Sequence, residues 1–164
     1  MKYSPQQGEI WLGIDPGSHV TGYAFLEGLG SRVRVLEYGV LRAKSQDSLP
    51  DRLLQITQPL KKLIEQYRPS YLALESAFVQ KNIRSALVLG HARGAIMLLC
   101  CELGLQIFEY SPATIKQAVT GKGAASKERV AWMVQQLLQL KELPAPADAS
   151  DALAIAWTGL YSHQ

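Results

Sequence analysis

The chain has 164 residues, 48% of them hydrophobic, and a formal net charge of +3, which is material for one sizeable core and leaves no room for a second domain, so a single domain over residues 1–164 is expected. Met1 to Glu9 is polar and lacks the apolar segment of a signal peptide. The longest uncharged apolar stretch, Gly94 to Cys101, is too short to cross a bilayer, so a soluble, cytoplasmic protein with no membrane association is expected.

The first apolar run, Glu9-Ile-Trp-Leu-Gly-Ile-Asp15, stops at Pro16-Gly17, as a buried strand does before a tight turn. Thr21 to Leu26 predicts a second strand. After Glu27-Gly-Leu-Gly30, the alternation of Val33 and Val35 with Arg32 and Arg34 predicts a third over Arg32 to Leu41, which completes an antiparallel meander. Ser48 and Asp51 form a capping-box-like pattern with Pro50 in the first turn of a helix, and Pro59 predicts a kink within it. Tyr71-Leu-Ala-Leu-Glu75 is a short apolar strand. Residues 82 to 103 predict a long helix closed by Gly104, and Gln106 to Tyr110 a fifth strand. Ser111-Pro112 opens a brief helix ending near Gly121, Ser126 caps a helix through Leu140, and a final helix spans about Asp148 to Tyr161. A meander followed by crossovers predicts an α/β fold: a mixed five-stranded sheet flanked by helices, with the first, fourth and fifth strands side by side in its centre.

Charge is unevenly spread. Residues 81 to 129 hold seven bases (Lys81, Arg84, Arg93, Lys116, Lys122, Lys127, Arg129) against three acids (Glu102, Glu109, Glu128), a local +4, while the rest sums to −1. Neutralising Asp15, Glu75, Asp148 and Asp151 with cations would leave ten acids facing seventeen bases, a surface suited to a polyanion. Scattered, solvated lysines and arginines are the plainer alternative. Cys100 and Cys101 are adjacent within an apolar helical pattern and read as reduced core thiols.

Four carboxylates stand out by position. Asp15 ends a central strand beside the turn, where it either caps Pro16-Gly17 or meets substrate. Glu75 follows an unbroken apolar run, so it either reaches solvent at the strand end or is paired or metal-bound. Asp148 and Asp151, three apart at a helix start, share one face ahead of Ala149, Ala152, Ala154 and Ala156, whose small side chains suit close packing on the sheet. N-capping explains one of the pair but not readily both. Carboxylates gathered this way repel and favour protonation unless a cation neutralises them. Oxygen-only ligands select Mg²⁺, with Mn²⁺ able to substitute. Two such ions per subunit hold a phosphate, activate water for in-line attack and stabilise the leaving 3′ oxygen.

The string Gly13-Ile-Asp-Pro-Gly-Ser18 with Val20-Thr-Gly-Tyr23, Leu74-Glu75 with Phe78 and Lys81-Asn82, Gly90-His-Ala-Arg-Gly94, Glu109-Tyr110, Lys116-Gln117 and Ala147-Asp-Ala-Ser-Asp-Ala-Leu-Ala154 closely resembles the RuvC-type Holliday-junction resolvases over residues 11 to 158. The resemblance implies an RNase H-like fold and a homodimeric, Mg²⁺-dependent endodeoxyribonuclease. It further implies paired symmetric nicks in four-way DNA junctions during recombination and repair, which leave 5′-phosphate and 3′-hydroxyl ends. It implies metal-holding, catalytic roles for Asp15, Glu75, Asp148 and Asp151, a base-stacking wedge at Phe78 and backbone contacts at Lys116 and Lys127. Lys81 and Asn82 join the expected DNA-binding set, and so does Lys122 in the Gly121–Gly123 loop. A branch-migration motor complex is the partner the family implies, and a short thymine-containing cleavage consensus its preference. His19 stands where the family often has arginine, and either touches phosphate or lies exposed. Ala86, Gly90 and Gly94 recur every fourth residue, which admits either a second helix or this chain's own sheet at close range. An actin-like ATPase lobe and a junction-binding module without catalysis are the competing readings. ATP turnover without DNA would mark the first, and binding without cutting the second.

Overall fold

The computed structural model describes residues 8–76 and 82–163. Strands β1 (Glu9–Asp15), β2 (Val20–Leu29) and β3 (Arg32–Arg42) form the meander, and β4 (Tyr71–Glu75) and β5 (Gln106–Tyr110) add to its other side. The sheet order is β3-β2-β1-β4-β5, with β4 parallel to β1 and to β5. The sheet is therefore mixed, as expected, but β5 lies at an edge rather than in the centre. After β5 the chain leaves for the helices α3 (Pro112–Thr120), α4 (Lys127–Leu137) and α5 (Ala147–His163), and among the described residues no strand follows to cover it.

Alternation along the strands builds two cores. Leu12, Ile14, Phe25, Leu72 and Leu74 face one side, where they meet Ile56, Leu60 and Ile64 of α1 (Leu49–Tyr67) and Ile96 and Cys100 of α2 (Ile83–Glu102). Trp11, Ala24, Leu26 and Ala73 face the other, under α3, α4 and above all α5. Small residues let α5 lie nearly on the strands. A Cβ on Gly13 would stand 2.3 Å from the Ala152 carbonyl oxygen, and one on Gly159 would strike the Trp11 ring.

The helix ends follow local chemistry. Ser48, Asn82, Ser111 and Ser126 each accept a first-turn amide of α1 to α4, a contribution of about 1 kcal/mol apiece. Gly121 closes α3 at φ +74°. Two boundaries differ from expectation. β2 runs on to Leu29, because Gly28 remains in the ladder, under Leu160, and the turn falls at Gly30. α4 stops at Leu137, three residues early, where Gln139 takes φ +52°.

α2 is asymmetric. Ala92, Arg93, Ile96 and Cys100 are buried, while Ile83, Leu87 and Leu98 are 77%, 60% and 62% exposed. Gly90 and Gly94 have open space where a Cβ would be, so the small-residue stripe faces away from its own sheet. Cys101 lies on this open side and is exposed, which corrects its expected core position, whereas Cys100 is buried. As folded, α2 has the length and hydropathy of a membrane span, more than Gly94 to Cys101 suggested. Its buried face belongs to the core it shares with α1 on this sheet, and Arg93 is tied to strand ends.

Candidate active site

Strand parity decides which way the acids point. Leu12, Ile14, Leu72 and Leu74 belong to the α1/α2 core, so the alternate positions Gly13, Asp15, Ala73 and Glu75 face α5. β1 and β4 are parallel neighbours paired from Trp11–Tyr71 to Ile14–Leu74, and Asp15 and Glu75 therefore leave the sheet at the same end. α5 begins at Ala147, over that end, and presents Asp148 and Asp151 from successive turns of one face.

Gly22 sets how close α5 comes. It pairs with Asp15 across the β1–β2 ladder, and a Cβ built on it would stand 1.9 Å from the Asp148 carbonyl oxygen. The sequence marks Gly22 only as part of Val20-Thr-Gly-Tyr23; its fit under α5 becomes visible once the helix is in place.

Electrostatics record the convergence. Burial first, then the charges of Asp151, Asp148 and Glu75 in that order, push the Asp15 carboxyl from its ordinary 3.8 up to about 7, against the opposing pull of Lys127. Burial, followed by Asp151, also raises Glu75, while Lys127, Lys116 and Arg93 hold it down. The Lys127 ammonium donates to Asp151 Oδ2 at 3.1 Å, and that bond, with the Asp151, Asp15 and Glu75 charges, raises its own pKa. A side-chain cation thus already stands among acids that lack enough positive charge. Among the described residues no three ligand-type side chains have closed on a common point. The cluster is open rather than a finished cage.

Glu75, Lys116, Lys127 and Asp151 line a cleft of about 200 Å³ whose apolar floor includes Ile115, Val130 and Ile155. Lys122 lies beyond the end of α3, outside that lining, and its backbone bonds Thr120. Asn82 is a helix cap, its Oδ1 accepting the Ser85 amide at 3.2 Å. Phe78 and Lys81 lie outside the described residues. Arg93, quoted in the sequence only within Gly90-His-Ala-Arg-Gly94, proves to be a tie: Nη1 donates to the Glu75 carbonyl oxygen at 2.6 Å and Nη2 pairs with Glu109 at 2.6 Å. It clamps the ends of β4 and β5 together beneath the Glu75 carboxylate.

A sequence model of the family described as "Crossover junction endodeoxyribonuclease RuvC" matches residues 11–159. The chain belongs to the RuvC family. Among its relatives, the crossover junction endodeoxyribonuclease RuvC of Shewanella amazonensis is 48% identical over 155 residues, covering 94% of this chain and 88% of that protein. The one from Chlorobaculum parvum is 46% identical over 151 residues, covering 92% and 81%. Thermus thermophilus RuvC in complex with a Holliday junction substrate superposes with a TM-score of 0.90 at 33% identity, covering 94% of each chain. The yeast mitochondrial Holliday junction resolvase shares the fold, with a TM-score of 0.65 at 16% identity over 98% of this chain and 83% of that one. The mixed sheet is therefore the RNase H-like sheet of the RuvC resolvases, and the family is one of metal-dependent nucleases.

Proposed function

We propose that this RuvC protein is a single-domain nuclease that resolves four-way DNA junctions by paired symmetric nicks, with Asp15, Glu75, Asp148 and Asp151 holding two Mg²⁺ ions per subunit. The observation that carries the reading is that parallel β1 and β4 release Asp15 and Glu75 at the same end of the sheet, under the start of α5 with Asp148 and Asp151, where burial and the three other acids push the Asp15 carboxyl up to about 7 beside a cleft that Lys116 and Lys127 help to line. The donor set, four carboxylates with no sulfur or imidazole, fits Mg²⁺ and admits Mn²⁺. When bound, such ions supply Lewis-acid charge to the phosphate and acidify a water beside it. Lys116 and Lys127, at opposite elements of the cleft wall, hold the phosphodiester and offset charge that develops on it. Arg93 fixes the strand end that carries Glu75. A role on chromosomal junctions would call for a cytoplasmic protein, with a branch-migration motor complex as the partner that the family resemblance implies. Purified protein with a labelled four-way junction should cut symmetrically in Mg²⁺ or Mn²⁺ and bind without cutting in EDTA. Cutting in EDTA, or binding alone in both metals, would overturn the reading.

The raised Asp15 pKa has a definite sign. The folded state keeps this proton up to about pH 7 while an unfolded Asp releases it near 3.8, so the group favours folding below about pH 4 and progressively loses that contribution as pH rises to about 7. A divalent cation must displace the proton, so below pH 7 apparent Mn²⁺ affinity should fall about tenfold per pH unit, with a plateau above. Thermal shifts with graded Mn²⁺ between about pH 5 and pH 8.5 check this. A flat profile would contradict the assignment of Asp15.

We also propose that the protein is a homodimer joined through the open face of α2. Ile83, Leu87 and Leu98 are exposed around Gly90 and Gly94, which leave the helix backbone accessible to a second helix. Two-fold symmetry in the protein would match two related strands in a junction. Leu87→Glu should shift the sedimentation coefficient from dimer to monomer with little change in thermal stability, since Leu87 touches no core. A dimer unaffected by this substitution would move the interface elsewhere.

A further inference from the structure

A second pocket opens on the opposite, α1/α2 side of the strand end. It has a volume of about 450 Å³, and Ser18, His19, Arg52, Arg84 and Ser85 line it over Val88 and Leu89. Its three basic groups come from three elements: the β1–β2 turn, the second turn of α1 and the first turn of α2. Among the described residues no carboxylate lines it. Arg52 has more donors than the pocket has acceptors. Its Nη1 reaches Ser18 Oγ at 3.4 Å and lies against the His19 ring nitrogens, while Nε is buried with no acceptor among the described residues. Arg84 makes no ion pair with any described residue. A tetrahedral oxyanion in the pocket would accept from the Arg52 Nη groups and neutralise Arg84.

We infer that this pocket holds a DNA backbone phosphate other than the scissile one, an inference that rests on the nuclease reading above. Pro16-Gly17-Ser18 joins the two sites: Asp15 faces the acid cluster under α5, and three residues later Ser18 faces the basic pocket beside α1. A DNA strand laid across the end of β1 meets the acids on one side of this turn and the arginines on the other. The pocket thus sets where the strand lies relative to the acids. His19, which the sequence leaves open between touching phosphate and simple exposure, becomes part of this anion site.

The test measures junction binding against salt, in an Asp15→Asn background that cannot cut. Removing one side chain that neutralises a phosphate should lower the slope of log K against log salt by about one. Arg84→Gln and Arg52→Gln should each do so, with Arg52→Lys recovering the slope, whereas Lys62→Gln on the outer face of α1 should not change it. Arg84 has no side-chain bond to a described residue to lose, so its variant stays informative if Arg52→Gln fails to fold. Unchanged slopes in folded Arg84→Gln, with junction binding and wild-type cutting intact, would overturn the pocket and leave the nuclease standing. Wild type that neither binds nor cuts a junction would overturn both. Inorganic phosphate titrated at constant ionic strength covers the other source of the same chemistry: tight binding abolished in Arg84→Gln, together with unchanged DNA slopes, would make this a free-anion site and refute the DNA assignment.

Discussion

Asp15→Asn should lower the rate of junction cleavage by about a thousandfold, equivalent to about 4 kcal/mol of transition-state stabilisation, the scale set by losing a metal ion's hold on a phosphate. The substitution keeps the side chain's size, so the fold should be undisturbed. It also removes a buried negative charge that the folded protein tolerates only by holding a proton up to about pH 7. Metal-free Asp15→Asn should therefore melt at or above the wild-type temperature at neutral pH, and bind junctions at least as tightly. Loss of activity with gain of stability separates a charge-bearing functional residue from a structural one. A variant that cuts normally, or that unfolds, would mean that Asp15 merely caps its turn.

The second large effect lies in a residue with no side chain. A Cβ at position 22 would stand 1.9 Å from the Asp148 carbonyl oxygen, so Gly22→Ala has to push the start of α5 off β2 by more than an ångström. Backbone cannot yield as a flexible side chain can, and overpacking of this kind costs about 1–3 kcal/mol. The displaced turn carries Asp148 and Asp151, and a misplacement of about 1 Å at a reacting centre costs about a hundredfold in rate. Gly39→Ala is the matched comparison: its Cβ would meet only the Tyr23 ring, at 3.1 Å from the hydroxyl. Rates and melting temperatures of the two variants should separate widely. If Gly22→Ala cuts as fast as Gly39→Ala, α5 does not position the acids in the way described.

Much of this site is legible in the chain because its acids sit at punctuated ends. Asp15 closes an apolar run before Pro16-Gly17, Glu75 closes Tyr71-Leu-Ala-Leu, and the Ala-rich start of α5 signals a helix lying close to a sheet. Parity then fixes that Asp15 and Glu75 share a face, which follows from period two once the strands are placed. Features that depend on what lies opposite are not legible. Nothing local says that Gly22 faces α5 rather than solvent, that Arg93 reaches back to the Glu75 carbonyl, or that Arg52 of α1 meets His19 across 33 positions of sequence. The edge position of β5 escapes sequence reading for the same reason, since an edge and a centre differ only in what pairs beside them. The end of α4 is hidden because Leu137, Leu138 and Leu140 continue a helical apolar pattern, and the break at Gln139 carries neither glycine nor proline.

The clustering also explains the double role of Lys127. Its ammonium bonds Asp151 and lowers the Asp15 and Glu75 pKa values, yet it is 77% exposed, which leaves it free to turn outward toward a phosphate when divalent charge takes over among the acids. On the proposed reading, one flexible side chain would balance the cluster without DNA and meet the backbone with it.

Cleavage by this site requires four acids to share divalent ions, and anomalous scattering from crystals soaked in Mn²⁺ tests that most directly. Two peaks per subunit are expected, both within coordination distance, about 2.0–2.3 Å, of carboxylate oxygens of Asp15, Glu75, Asp148 or Asp151, and both weakened in Asp15→Asn. Mn²⁺ bound elsewhere on the protein, or peaks unchanged by Asp15→Asn, would contradict it.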